Sequence, residues 1–148
     1  MSPDGNTLYV AGDNSVDPNS KRFLSAYDVS NPSFPTQIWR YEVVDGAYEN
    51  RHYANEIIYD QETETIYVAF DTGVRAFEIN SGGVVSDTLI STGVRANGLA
   101  LSANSQFAYV MEHEQLAVYA INNSFSVSID VASAPEPEFT PVESEGLV

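Results

Sequence analysis

The stretch Ser2-Pro3-Asp4-Gly5-Asn6-Thr7-Leu8-Tyr9-Val10 decides the fold, because two further segments superpose on it without gaps. Asp60-Gln61-Glu62-Thr63-Glu64-Thr65-Ile66-Tyr67-Val68 matches it without a gap, and so does Ser102-Ala103-Asn104-Ser105-Gln106-Phe107-Ala108-Tyr109-Val110. Each copy is a polar turn followed by an alternating strand that ends in Tyr-Val. A second element recurs behind each: Ala26-Tyr27-Asp28-Val29, Ala76-Phe77-Glu78-Ile79 and Val118-Tyr119-Ala120-Ile121. Between the second and third copies the register is fixed at 42 residues, which relates Ala54-Asn55 to Ala96-Asn97, Tyr67 to Tyr109 and Phe77 to Tyr119. A period of roughly 40–45 residues with four strands per unit is that of a propeller blade.

Period-two alternation divides each unit into strands. In the second unit it predicts strands at Tyr53–Tyr59, Thr65–Asp71, Val74–Asn80 and Val84–Ile90. In the third it predicts Ala96–Leu101, Gln106–Glu112, Leu116–Ile121 and Ser124–Val131. The last alternates Phe125, Val127, Ile129 and Val131 with Ser124, Ser126, Ser128 and Asp130, as one buried and one solvated face require. The first unit differs. Tyr9 and Tyr27 are 18 positions apart where the later counterparts are 10 apart, so an insertion of eight residues falls near Asp13–Lys21. Its first element is the turn that should follow an innermost strand, so blade 1 is expected to lack that strand. The expectation is an all-β chain of about three four-stranded antiparallel blades, an incomplete ring, at residues 1–44, 53–90 and 95–131. Residues 132–148, with Pro135, Pro137 and Pro141 among four glutamates, read as an acidic linker or tail.

Six Lys and Arg face 21 Asp and Glu, a formal net charge of −15. Phosphate backbones need a basic stripe that this chain does not supply, which argues against a nucleic-acid partner. No window approaches the ~18 apolar residues of a membrane-spanning helix. Met1-Ser2-Pro3-Asp4-Gly5 reads as a turn and not as a leader, so any export signal is expected upstream. The absence of cysteine removes disulfides, thiolate nucleophiles and Cys-ligated metals. Asn122-Asn123-Ser124 fits a glycosylation sequon.

The turn-and-strand motif Ser2–Val10 resembles the "SPDG…YV" element of YVTN-type and lactonase-type β-propellers. Phe23-Leu24-Ser25-Ala26-Tyr27-Asp28-Val29-Ser30-Asn31-Pro32-Ser33-Phe34-Pro35 resembles the LVIVD repeat. The likeness covers residues 1–131 and implies a ring of ~6–8 blades. Three blades alone leave raw edges, so the implied partners are the remaining blades or another copy of the chain. In such propellers the innermost strands line a central channel and the loops at their ends form the binding face. That points to Arg51, His52, Asn55, Arg95 and Asn97. Asn55 and Asn97 are repeat equivalents that either bind a ligand or tie blade to blade through backbone groups.

Gly93-Val94-Arg95-Ala96 resembles the "GPRH" element of 6-phosphogluconolactonase-like propellers, with Ala96 where that family has His. Met111-Glu112-His113 stands where the family tends to show Val-Asn-Glu. A lactonase needs an anion clamp and a water activator. Arg95 is the candidate clamp, with Glu112 or His113 as base and Arg51-His52 as a second pair. The insertion sets oxygen side chains at Asp13, Ser15, Asp17 and Asn19, alternating as calcium loops do, but Pro18 and Leu24 replace the Gly and Glu that such loops use. Calcium is therefore the one cofactor in view. The sequence favours a non-catalytic binding scaffold for a protein or carbohydrate ligand, in an extracellular, cell-surface or periplasmic protein. A lactonase and a calcium-dependent propeller phosphoesterase are the alternatives.

Overall fold

A computed structural model describes residues 1–13, 21–43, 53–90, 95–113 and 115–121. Ten strands form in chain order: β1 (Thr7–Asp13), β2 (Arg22–Asp28), β3 (Thr36–Glu42), β4 (Ala54–Asp60), β5 (Thr65–Phe70), β6 (Gly73–Asn80), β7 (Gly83–Leu89), β8 (Ala96–Leu101), β9 (Phe107–Glu112) and β10 (Gln115–Ala120). They make three antiparallel sheets, ordered β1-β2-β3, β4-β5-β6-β7 and β8-β9-β10, each a simple meander. No helix occurs among the described residues. The sheets stack face to face as blades 1, 2 and 3 of an incomplete propeller and do not close into a barrel.

The expected strand bounds hold to within a residue or so for blades 2 and 3. The expected outer strand Ser124–Val131 and the tail 132–148 lie outside the described residues. So does most of the insertion, which joins β1 to β2 where both later blades use short turns.

The middle strand of the stack explains its own composition. β5 reads Thr-Ile-Tyr-Val-Ala-Phe with every residue buried. Ile66, Val68 and Phe70 pack toward blade 1 with Leu24, Val43, Phe77 and Ile79. Tyr67 and Ala69 pack toward blade 3 with Val74, Ala96, Leu99, Ala108, Val110 and Ala117. A strand covered on both faces has no solvated side to mark with polar residues, so its sequence runs apolar throughout. At about 25 cal/mol per Å² of apolar surface buried, these two interblade layers are the main source of stability.

Turns set the blade geometry. Gly5 takes φ 75°, Ser105 φ 51° and Glu64 φ 50°, each giving its β-turn the left-handed step that lets the next strand reverse. Gly83, at φ 132°, starts β7 with its Cα against the Trp39 ring; a β-carbon there would lie 3.8 Å from that ring.

Candidate functional site

Identical β-bulges place the repeated asparagines. The β4–β5 register skips between Ala54 and Glu56, and the β8–β9 register skips between Ala96 and Gly98. Asn55 and Asn97 are the residues left out of the two ladders. A bulge re-aims its extra residue away from the strand partner. Asn55 Nδ2 accordingly donates to Asp71 Oδ1 at 2.9 Å and to the Ala96 carbonyl of blade 3 at 2.7 Å. Glu56 completes the contact, its Oε2 accepting the Leu99 N–H at 2.6 Å, a donor left accessible by the blade 3 bulge.

Asp71 sits at the turn after β5 and gathers two donors. Arg95 Nε lies 3.1 Å from the same Oδ1 that Asn55 reaches, with the arginine side chain 58% exposed and the aspartate 18%. The Arg95 carbonyl in turn accepts the His113 N–H at 3.3 Å, and His113 takes φ 52° to make that turn. Glu112 is half-buried and accepts the Tyr119 hydroxyl from the adjacent strand. Asn97 is exposed and makes no hydrogen bond among the described residues. The structure thus gathers Asn55, Asp71 and Arg95 at one end of the blade 2–blade 3 seam. Arg51, His52, Ser15, Asp17 and Asn19 lie outside the described residues; Asp13 is described as the last residue of β1, opposite Arg22. Among the described residues no three His, Asp or Glu side chains converge as metal ligands would.

Sequence reasoning missed two features. One is Asp71, whose role depends on Arg95 lying beside it across the interblade seam. The other is an aromatic crevice of about 490 Å³ between blades 1 and 2, walled by Tyr9, Trp39 and Tyr59 and edged by Glu64 and Asn80. Tyr9 stacks at a tilt on Tyr59, centroids 5.1 Å apart, and lies 6.3 Å from Trp39. Burial raises both tyrosine pKa values, and nearby carboxylate charge adds to it. A smaller crevice of about 290 Å³ occupies the corresponding place between blades 2 and 3, where Thr65 and Tyr67 replace Thr7 and Tyr9. The repetition marks both as products of blade stacking.

The far face of blade 3 is apolar and exposed among the described residues. Phe107, Tyr109, Met111 and Leu116 stand 38–45% exposed, whereas Tyr67, the repeat counterpart of Tyr109, is 2% exposed beneath blade 3.

No protein-family model matches the chain, and no curated protein does. Among the described residues no helix is long and apolar enough to cross a membrane.

Proposed function

We propose that the chain is a non-catalytic β-propeller segment that serves as a binding scaffold, its blades held rigid by polar clasps at their seams. One observation carries this reading: Asn55 Nδ2 and Arg95 Nε, from adjoining blades, both meet the same Asp71 oxygen at the blade 2–blade 3 seam. An anion clamp must present its guanidinium to the ligand, and a water activator needs a free lone pair. Arg95 is instead tied through Nε to Asp71, and Glu112 Oε1 accepts the Tyr119 hydroxyl, so both side chains have a use within the fold. The open apolar face of blade 3 supports the second half of the reading, that further blades or a protein partner stack there. The net charge of −15 agrees with a solvated surface protein facing an exterior milieu.

The test is direct. Purified chain is added to glucono-δ-lactone and to 6-phosphoglucono-δ-lactone, and acid release is followed by pH-stat. Hydrolysis at the buffer rate is expected. Saturable hydrolysis that disappears in Arg95→Ala or Glu112→Gln would overturn the scaffold reading in favour of the lactonase.

A further inference from the structure

The crevice between blades 1 and 2 is walled by rings that its counterpart lacks. Tyr9, Trp39 and Tyr59 are half-buried there, with Thr7 and Glu64 beside them. Tyr9 is tilted by 40° to Tyr59 and by 36° to Trp39, so the three rings make a curved wall instead of a flat platform. The crevice at the blade 2–blade 3 seam has one ring, Tyr67, which is 2% exposed. There Thr88 takes the place of Trp39: it pairs with Ala76 as Trp39 pairs with Ala26. The positions 42 residues beyond Tyr59 and Glu64 are Leu101 and Gln106. Blade 2 forms this second crevice with all four of its strands described, so the opening itself comes from the stacking of blades. The aromatic lining belongs to the first seam.

We propose that this crevice binds a small quaternary ammonium cation of the choline type. This names a ligand for the scaffold reading and rests on it. Ring faces carry the negative end of the aromatic quadrupole, so a cation held within about 6 Å of their centroids is attracted. Tryptophan offers the strongest such face, and tyrosine follows. The local field has the same sign. Among the described residues lining the crevice, Glu64 carries the only charge and none is basic. Tyr9 and Tyr59 titrate above the usual phenol value through burial first, and the carboxylates Asp4 and Glu64 push both in the same direction. A quaternary ammonium has no N–H to leave unbonded in a half-buried aromatic site, so it enters at less cost than a primary ammonium. The opening, about 490 Å³, falls within the range of small-molecule sites. A formal net charge of −15 raises the concentration of any cation near the surface.

Trp39 is the single tryptophan of the chain, so its fluorescence reads the site directly. Choline chloride is titrated into the full chain, against sodium chloride at equal ionic strength. A saturable change in Trp39 emission is expected with choline and not with sodium. The neutral tert-butyl isostere of choline should bind on the order of tenfold more weakly, since it keeps the shape and loses the charge. Glycine betaine should also bind more weakly than choline, because its carboxylate meets Glu64. Tyr59→Leu and Glu64→Gln give the crevice the residues that the repeat carries at Leu101 and Gln106, so the blades should still form. Each should weaken choline binding on the order of fivefold, with a melting temperature near the parent's. No saturable change, equal binding of choline and its neutral isostere, tighter binding of betaine, or full binding in both folded variants overturns the proposal. So does a response to cellobiose without one to choline, which would make the rings a sugar platform. Every readout is of binding, so this proposal can fail while lactone hydrolysis stays at the buffer rate and the scaffold reading stands.

Discussion

Arg75 Nη1 and Asp87 Oδ1 meet at 2.6 Å between β6 and β7, with only 10% and 12% of their side chains exposed. Blade 1 joins this pair: the Tyr41 hydroxyl donates to Asp87 Oδ2 at 3.2 Å, and its ring lies edge-on to Phe77 at 6.0 Å. Removing one partner of a buried ion pair is costly because the remaining charge loses its close counter-charge. Asp87→Ala is therefore expected to destabilise the chain by about 3 kcal/mol. The double replacement Arg75→Met with Asp87→Leu should recover most of that loss. Urea denaturation of the two single variants and the double variant gives the coupling energy.

The two asparagines should separate cleanly. Asn55→Ala removes two hydrogen bonds, one within blade 2 and one across the seam, and should cost about 1–2 kcal/mol. Asn97→Ala, at an exposed position without a described partner, should stay within about 0.5 kcal/mol of the parent. Equal effects in thermal or chemical melts would contradict the clasp described for Asn55.

Phe77 is fully buried in the layer between blades 1 and 2, while Phe107 is 40% exposed on the open face of blade 3. Truncation to alanine should cost about 3–5 kcal/mol at Phe77, where a cavity forms. At Phe107 it should cost far less and should reduce self-association instead. Light scattering beside melting curves distinguishes the two effects.

Both ends of the pH scale should weaken the fold. Asp60 is buried, which by itself raises its pKa, but hydrogen bonds from Ser105 and Thr63 outweigh that and hold it below the usual carboxylate value. A lowered folded pKa gives stability that is present above the unfolded value of about 4 and lost as pH falls through the folded one. Tyr9, Tyr41, Tyr59 and Tyr67 are shifted the other way, by burial first and by neighbouring negative charge second. Their contribution is complete below the unfolded value of about 10 and disappears as pH rises through the folded values. Midpoint temperature against pH should show a plateau with acid and alkaline limbs, and Asp60→Asn should flatten the acid limb.

Ser25 is fully buried in β2 and its hydroxyl finds no hydrogen-bond partner among the described residues. An unsatisfied buried hydroxyl is a cost. Ser25→Ala should leave stability unchanged or raise it by up to about 1 kcal/mol, as calorimetry would show.

The blades were legible because their signals are local. Tyr9, Tyr67 and Tyr109 each fall in the second strand position of a blade, and the Ser2 and Ser102 turns close with the same bonds. Alternation and turn chemistry act over a few residues, so they survive in a linear reading. The unbroken apolar run of β5 hinted that both its faces are covered, though not by what.

The seams were not legible to the same degree. That Asn55 reaches the carbonyl of Ala96, that Asp71 holds Arg95, and that Tyr41 reaches Asp87 depend on how far one blade slides against the next. Nothing periodic in the chain encodes that offset. Asp71 and Asp87 look alike in sequence, as two acidic residues among 21. The sequence by itself determined an all-β chain of repeated blades, the places of their turns and the poverty of basic charge. Only the tertiary structure decided which polar groups are consumed in joining blades and which remain exposed. The reason is physical: strand periodicity is set by the backbone of each segment, whereas pairing across a seam is set by the packing of two faces with no covalent register between them.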